Sequence, residues 1–425
     1  MKLKRPQING HYFDNYFWIR LETTKKPEKW LKLNEIVITL IHEYIHFIQN
    51  VSTSYGVKNV AQTYSSIAHF YNSKNKTFPF EIFDCNFLTN KNLLATSEKK
   101  IDSSNYKIII KKDDPDLVLT HREIIKTVDL LQDLKLKEYK IHIQRKGKKT
   151  ETFYLDVTAI EEGMCRIYEN HLKEEDPDYY QIPYSLPEIM TRILFPKLLK
   201  HMDYIFAICD ISLMYTNPPE LFVKILKELN AHNYIPNSIP ELYNYCYNSL
   251  MLEGIPLINI WTTTFNEARN NIINSCNFAD IEFAGKWIEK TINFYEQYRL
   301  NLPYFLSLPL SLSPKDTLYR MCLLMTLNIS PIITNLNNEY CVLSKQPLSL
   351  EENNALFHFM EVQSMNEFVF ETDGDICTFD RFCKDYATCP YCLTNPLQKP
   401  LIDGQVCIFQ RNAISYGLKS FFPTN

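Results

Sequence analysis

His42, Glu43 and His46, in the string His42-Glu43-Tyr44-Ile45-His46, combine residue types and spacing that can do chemistry. On a helix, positions four apart project from one face, about one turn apart. Both imidazoles can then bind one Zn²⁺. Glu43, beside His42, can reach a water held by such an ion. The metal acidifies that water and the carboxylate accepts its proton, which makes a hydrolytic nucleophile. Two histidines do not complete a zinc site, so a third protein ligand must come from elsewhere. His69, on the next expected helix, is one candidate. The paired acids Glu161 and Glu162 are the others.

The flanking residues predict the helix that this spacing requires. Ile36, Leu40, Tyr44, Phe47 and Ile48 recur at intervals of three and four, which predicts a helix over about 33–51. Residues 52–56 end it, and a second helix is expected over about 57–70. Ahead of them, Tyr12 to Thr23 is aromatic and reads as a strand. Residues 79–156 are β-rich, with strand candidates at Tyr106 to Ile110, Tyr139 to Gln144 and Thr152 to Val157. A short helix is expected over 122–134. The run Arg145-Lys146-Gly147-Lys148-Lys149 reads as a solvated turn between two strands. Asp156 opens a helix to about Leu172, which carries Glu161 and Glu162. From Pro187 to Ile333 the pattern is mostly helical, with no repeat period.

The helix opened by Asp156 bears the string Ala159-Ile-Glu-Glu-Gly-Met-Cys-Arg-Ile-Tyr-Glu169. Together with His42-Glu43-Tyr44-Ile45-His46 it resembles the gluzincin metallopeptidases. In that family the two histidines are completed by a Glu on a second helix, followed by Gly and, three positions on, a small residue. Glu162-Gly163-Met164-Cys165 matches, so the resemblance favours Glu162 over Glu161. Periodicity alone does not choose between them: Glu161 shares a face with Cys165, Tyr168 and Leu172, and Glu162 with Arg166, Glu169 and Lys173. The metzincin extension is missing, because Gln49 and Ser52 stand where it needs Gly and a third His.

The resemblance implies an α+β fold with a zincin-like catalytic core, a mixed sheet carrying the active-site helix. It implies a zinc-dependent endopeptidase with a protein or peptide substrate, with Glu43 as general base. It covers only the two motif segments, so the β-rich stretch between them is expected to be an insertion. A donor for the oxyanion of the tetrahedral intermediate is also needed. Tyr55, Arg166, Tyr168 and His171 lie near the motifs, and Tyr168 and His171 are the choices. Strand Thr152 to Val157 leads into the Glu162 helix and is the candidate for binding an extended substrate by β-addition.

The end of the chain has a different character, with Cys377, Cys383, Cys389-Pro390-Tyr391-Cys392 and Cys407 close together. A C-x-x-C knuckle plus two further thiols can build a structural zinc site. Cys383, Cys389 and Cys392 with Cys377 or Cys407 are the expected ligands. Cys-Pro-Tyr-Cys also resembles the glutaredoxin redox pair, but here it is followed by Pro396 and Pro400, a poor helix start.

Composition bounds the rest. The 425 residues carry a net charge of −4, from 45 basic and 49 acidic side chains, which argues against nucleic-acid binding by bulk charge. The 9 glycines fit a site built from helix faces rather than from phosphate loops. No apolar leader and no long apolar run is visible, so no membrane span is expected. The 12 cysteines without a leader read as reduced thiols in a cytoplasmic protein. Three regions are expected: a catalytic core over 1–185, a mainly helical region over 186–370 that completes the cleft or recognises substrate, and a Cys-rich tail over 371–425. Two rival expectations are a non-catalytic zinc-containing scaffold and a zinc hydrolase acting on a non-peptide amide.

Overall fold

The aromatic segment near the chain start folds as a hairpin rather than one strand. Strands β1 (Gly10–Phe13) and β2 (Trp18–Leu21) pair antiparallel, with Gly10 opposite Leu21 and Phe13 opposite Trp18. The turn between them places Asn15 and Phe17 in the left-handed region, at φ 68° and 51°. For Phe17 that conformation costs about 1–2 kcal/mol. Its fully buried ring, packed near Phe47, Trp287 and Phe359, contributes roughly 1.5–3 kcal/mol and outweighs the strain. The computed structural model describes residues 9–72, 99–102, 106–108, 121–124, 136–145, 150–174, 179–279, 281–345 and 348–370. In the C-terminal stretch it describes 377–379, 383, 389–392, 396–401, 407–415 and 422–423.

Helix α1 (Asn34–Ser52) is apolar on nearly every side, and such helices are buried. Ile36, Leu40, Tyr44, Phe47, Ile48 and Val51 are all within the core. Helix α2 (Ser54–Asn72) follows after a single residue. Gly56 makes that sharp joint possible, because a Cβ there would lie 2.2 Å from the Gln49 carbonyl oxygen.

The β-rich stretch contains β3 (Lys99–Asp102), β4 (Tyr106–Ile108), β5 (His121–Ile124), β6 (Leu136–Arg145) and β7 (Thr150–Leu155). Strand β6 pairs with β4, β5 and β7, all antiparallel. Gln144 faces Thr150, so the basic run joins a hairpin, although residues 146–149 lie outside the described residues. Strand β5 stands where a helix was expected to begin. Pairing with Leu136 to Tyr139 satisfies its backbone groups, which a short amphipathic pattern cannot outweigh. The remainder of that expected helix lies outside the described residues. Helix α3 (Val157–Lys173) begins at Asp156, whose side chain accepts the Ala159 amide at 2.7 Å. Strand β8 (Tyr179–Ile182) pairs with β3.

The following region is helical, as the sequence pattern suggests: α4 (Leu186–Leu194), α5 (Met202–Ser212), α6 (Pro218–Ala231) and α7 (Ile239–Asn244). A short hairpin, β9 (Met251–Leu252) and β10 (Ile255–Pro256), precedes α8 (Leu257–Phe278), α9 (Glu282–Asn301) and α10 (Pro314–Leu327). Strands β11 (Ile332–Thr334) and β12 (Tyr340–Cys341) then complete the N-terminal sheet, in the order β1-β2-β11-β12. Strand β11 runs parallel to β2, and Trp18 Nε1 donates to Thr334 Oγ1 at 2.8 Å. Helices α11 (Leu350–Phe370) and α12 (Ile408–Ser415) end the described structure.

The fold is thus mixed α/β and mostly helical, with a small mixed sheet. One hydrophobic core runs from Tyr12 to Val362, so side chains before and after position 185 share it. A second, smaller cluster gathers Met365, Cys377, Phe379, Cys392, Phe409 and Phe422. No helix among the described residues is long and apolar enough to cross a membrane.

Candidate metal centre

Helix α1 turns His42 and His46 toward α3, with ring centroids 5.1 Å apart. Helix α3 answers with Glu162, Cys165 and Glu169, at spacings of three and four. The Glu162 carboxylate spans the two imidazoles. Its Oε2 lies 3.3 Å from His42 Nε2 and its Oε1 lies 3.6 Å from His46 Nε2. Oε2 is buried and makes no hydrogen bond.

Both imidazoles are oriented from behind. His42 Nδ1 meets Glu169 Oε1 at 2.8 Å, and His46 Nδ1 meets Gln49 Oε1 at 2.8 Å. Gln49 Nε2 in turn donates to the Glu161 carbonyl at 3.2 Å, which sets the amide with its oxygen toward His46. Each imidazole therefore donates from Nδ1 and leaves its Nε2 lone pair for the centre. Glu169 also holds Arg166 at 3.3 Å and Lys173 at 3.0 Å.

Charge reinforces this geometry. Burial acts to raise the Glu162 and Glu169 carboxyls, but the neighbouring histidines reverse the effect. Glu162 is held well below the ordinary range by His46 and His42. Glu169 is held down to about 2 by its His42 hydrogen bond and by the His42 and Lys173 charges. Burial acts to lower both imidazoles, yet Cys165 and Glu162, joined at His42 by Glu169, raise them well above 6.5. Both rings are thereby drawn toward their protonated form, with which a cation at the centre would compete.

Glu43 lies toward the sheet. It is 6% exposed, and the Tyr12 amide of β1 donates to its carboxylate. Burial raises its proton affinity. Strand β1 approaches so closely that a Cβ at position 10 would sit 2.8 Å from Glu43 Cγ and Oε1, and Gly10 is what permits it. Gly163 plays a similar part behind Glu162. A Cβ there would meet Pro187 Cγ at 2.7 Å, so the glycine lets α3 pack on α4.

The other sequence-derived candidates lie elsewhere. Glu161 is buried near Tyr12 and Tyr55, while the ion pairs of the two histidines run to Glu162 and Glu169. His69 lies on α2, with its side chain outside the described residues. Tyr168 is fully buried and donates its hydroxyl to the Leu306 carbonyl. His171 Nε2 lies 3.0 Å from Thr317 Oγ1. The structure does not bring Tyr168 or His171 to the His42, His46 and Glu162 cluster, so neither is placed to steady an oxyanion there. The strand beside Glu43 is β1, whereas β7 pairs with β6 ahead of α3.

Sequence reasoning treated Cys165 only as a small residue. Its thiol donates to the His42 carbonyl at 3.5 Å and lies 3.5 Å from His46 Nε2. His42, His46 and Cys165 are, among the described residues, the group whose ligand atoms all lie within 4.8 Å of one another. Glu169 and Gln49 were also missed as orienting groups. Glu169 could have been found from its spacing of seven from Glu162.

Glu169→Ala is expected to weaken zinc binding about 10–100-fold while leaving the stoichiometry unchanged, because it frees the His42 ring without removing a ligand. Competition with a chromogenic chelator measures this. Unchanged affinity would remove Glu169 from the site.

Compared with known proteins, the chain matches no family model, no curated protein and no solved structure.

Proposed function

We propose that this chain is a zinc-dependent endopeptidase of the gluzincin type, with a zincin-like core and a protein or peptide as substrate. The observation that carries the reading is the Glu162 carboxylate. It lies between two Nε2 atoms, with one oxygen buried and lacking a hydrogen bond, while both Nδ1 atoms are already engaged. Two imidazole nitrogens and one carboxylate oxygen are the donor set of a catalytic zinc site with an open position.

Zn²⁺ held by His42, His46 and Glu162 would acidify a water and polarise the scissile carbonyl. The chain's own groups supply the rest. Glu43, positioned by the Tyr12 amide, takes the proton from the attacking water and delivers it to the leaving amine. Glu169 and Gln49 keep the two rings from turning. Among the described residues strand β1 is the edge of its sheet, and it passes beside Glu43, so an extended peptide added to that edge would present its backbone to the general base.

The direct test is zinc content after Glu161→Ala and Glu162→Ala. Loss of the catalytic equivalent is expected only in Glu162→Ala. Full retention there would remove the third ligand. Activity itself is tested by comparing new protein termini in cells expressing wild type with those expressing Glu43→Gln.

The position of Cys165 favours a second reading. With the thiol as a fourth protein ligand the site would be closed, as structural zinc sites are, and the chain would be a scaffold. The intact, desolvated Glu43 speaks for catalysis, since a closed site needs no base. Cys165→Ala should keep its zinc in the first reading and lose affinity in the second.

A further inference from the structure

Cysteines 377, 383, 389, 392 and 407 are all described, yet no three of them bring their sulfurs within 4.8 Å of one another, whereas His42, His46 and Cys165 do bring their ligand atoms that close. The thiol that geometry offers to a metal is therefore Cys165. A cysteine chosen for size alone fills space, as Cys276 does against Gly285. The sulfur of Cys165 has a different setting. Sγ lies 3.5 Å from His46 Nε2, and Glu162 Oε1 lies 3.6 Å from the same nitrogen. Two ligands of one tetrahedral zinc, with bonds of about 2.0–2.1 Å to nitrogen and about 2.3 Å to sulfur, stand about 3.5 Å apart. The sulfur thus already keeps a co-ligand's distance from His46. Cys165 and Glu162 are three positions apart on α3, so one helix brings both to the histidines of α1.

We propose that Cys165 is a gate on this centre: its thiolate binds the ion in the resting enzyme and gives way to substrate. This gate presupposes the zinc reading of His42, His46 and Glu162, and adds regulation to it. A permanent sulfur ligand would leave no position for substrate, whereas a displaced one needs a place to go. The structure provides that place without moving the helix. The protonated thiol, which burial favours, donates to the His42 carbonyl at 3.5 Å.

The exchange runs between two states of one side chain. At rest the S–H proton passes to solvent and the sulfur–zinc bond forms. As the substrate carbonyl enters, that bond breaks, the sulfur takes a proton back from solvent, and the thiol returns to the His42 carbonyl. No electron is transferred. Because the displaced thiol recovers a hydrogen bond, the swap costs less than stranding a buried polar group would. The centre thus withholds its open position from bulk water until a substrate, with binding energy of its own, competes for it.

The test adds one equivalent of Co²⁺ to the metal-free full chain. A sulfur-to-cobalt charge-transfer band should appear in the wild type and be lost in both Cys165→Ala and His42→Ala. The visible ligand-field bands should persist in Cys165→Ala, whose zinc content should stay at about one equivalent per chain. Saturating acetohydroxamate should abolish the charge-transfer band of the wild type, a measurement that needs no variant to fold. Ligand-field bands with a charge-transfer band absent, or unchanged by Cys165→Ala, would overturn the thiol ligand and leave the peptidase reading standing. A band that persists under acetohydroxamate would overturn the displacement. Cobalt spectra identical in wild type and His42→Ala would overturn the gate and the zinc reading together.

Discussion

Glu43→Gln should bind zinc as tightly as the wild type and hydrolyse substrate about 10²–10⁴-fold more slowly. The substitution keeps the shape of the side chain and its hydrogen bond from the Tyr12 amide. On the proposed reading it removes the carboxylate that takes a proton from the attacking water. None of the ligand contacts of His42, His46 or Glu162 depends on Glu43, so metal content should hold. The effect should fall on kcat rather than KM, because the proton moves in the transition state. Undiminished turnover would refute the role of Glu43. Loss of zinc would show instead that Glu43 helps to build the site.

The largest effect on stability should come from Arg299. Its guanidinium is fully buried and grips Asp210 with two bonds of 2.8 Å. Nε reaches the Ser52 carbonyl at 3.0 Å, at the last residue of α1. Tyr243 adds a 2.5 Å bond to Asp210. One cation thus neutralises a buried carboxylate and also satisfies the C-terminal end of the site-bearing helix, where the helix dipole favours positive charge. Arg299→Met strands the carboxylate in the core and should destabilise by about 3–5 kcal/mol. That is a large part of the roughly 5–15 kcal/mol by which a domain is stable. The double variant Arg299→Met, Asp210→Leu should recover much of the loss, since neither charge is then left alone. Urea midpoints measure both. A double variant no better than the single would mean that the bonds to Ser52, and not the stranded charge, dominate.

Helix α1 was legible in the sequence because nineteen residues repeat the apolar period without a break. Helix α3 announced its start through Asp156. Strand β11 was not legible, because three residues, Ile332 to Thr334, carry no period and gain their meaning from Trp18 and its neighbours far away in the chain. In the site, spacing on one helix identified His42, Glu43 and His46, but choosing Glu162 over Glu161 needed the family resemblance. Tyr168 and His171 were chosen for nearness in sequence. Helical geometry turns them about 240° and 180° from Glu162, while Glu169 returns to within about 20°. That rotation is why Tyr168 finds Leu306 and His171 finds Thr317, while Glu169 finds His42.

The parallel pairing of β2 with β11 also bears on biosynthesis. Trp18 and Thr334 are 316 positions apart. At roughly 5–20 residues per second, tens of seconds separate their emergence from the ribosome. Throughout that interval helix α1, with its two histidines, is already outside. The hairpin that sets Gly10 and Tyr12 against Glu43 still lacks its neighbouring strand. On the proposed reading, a hydrolase assembled in this order would hold its general base in place only once most of its own chain has been made, which would limit the time in which it could cut nascent polypeptides, its own included.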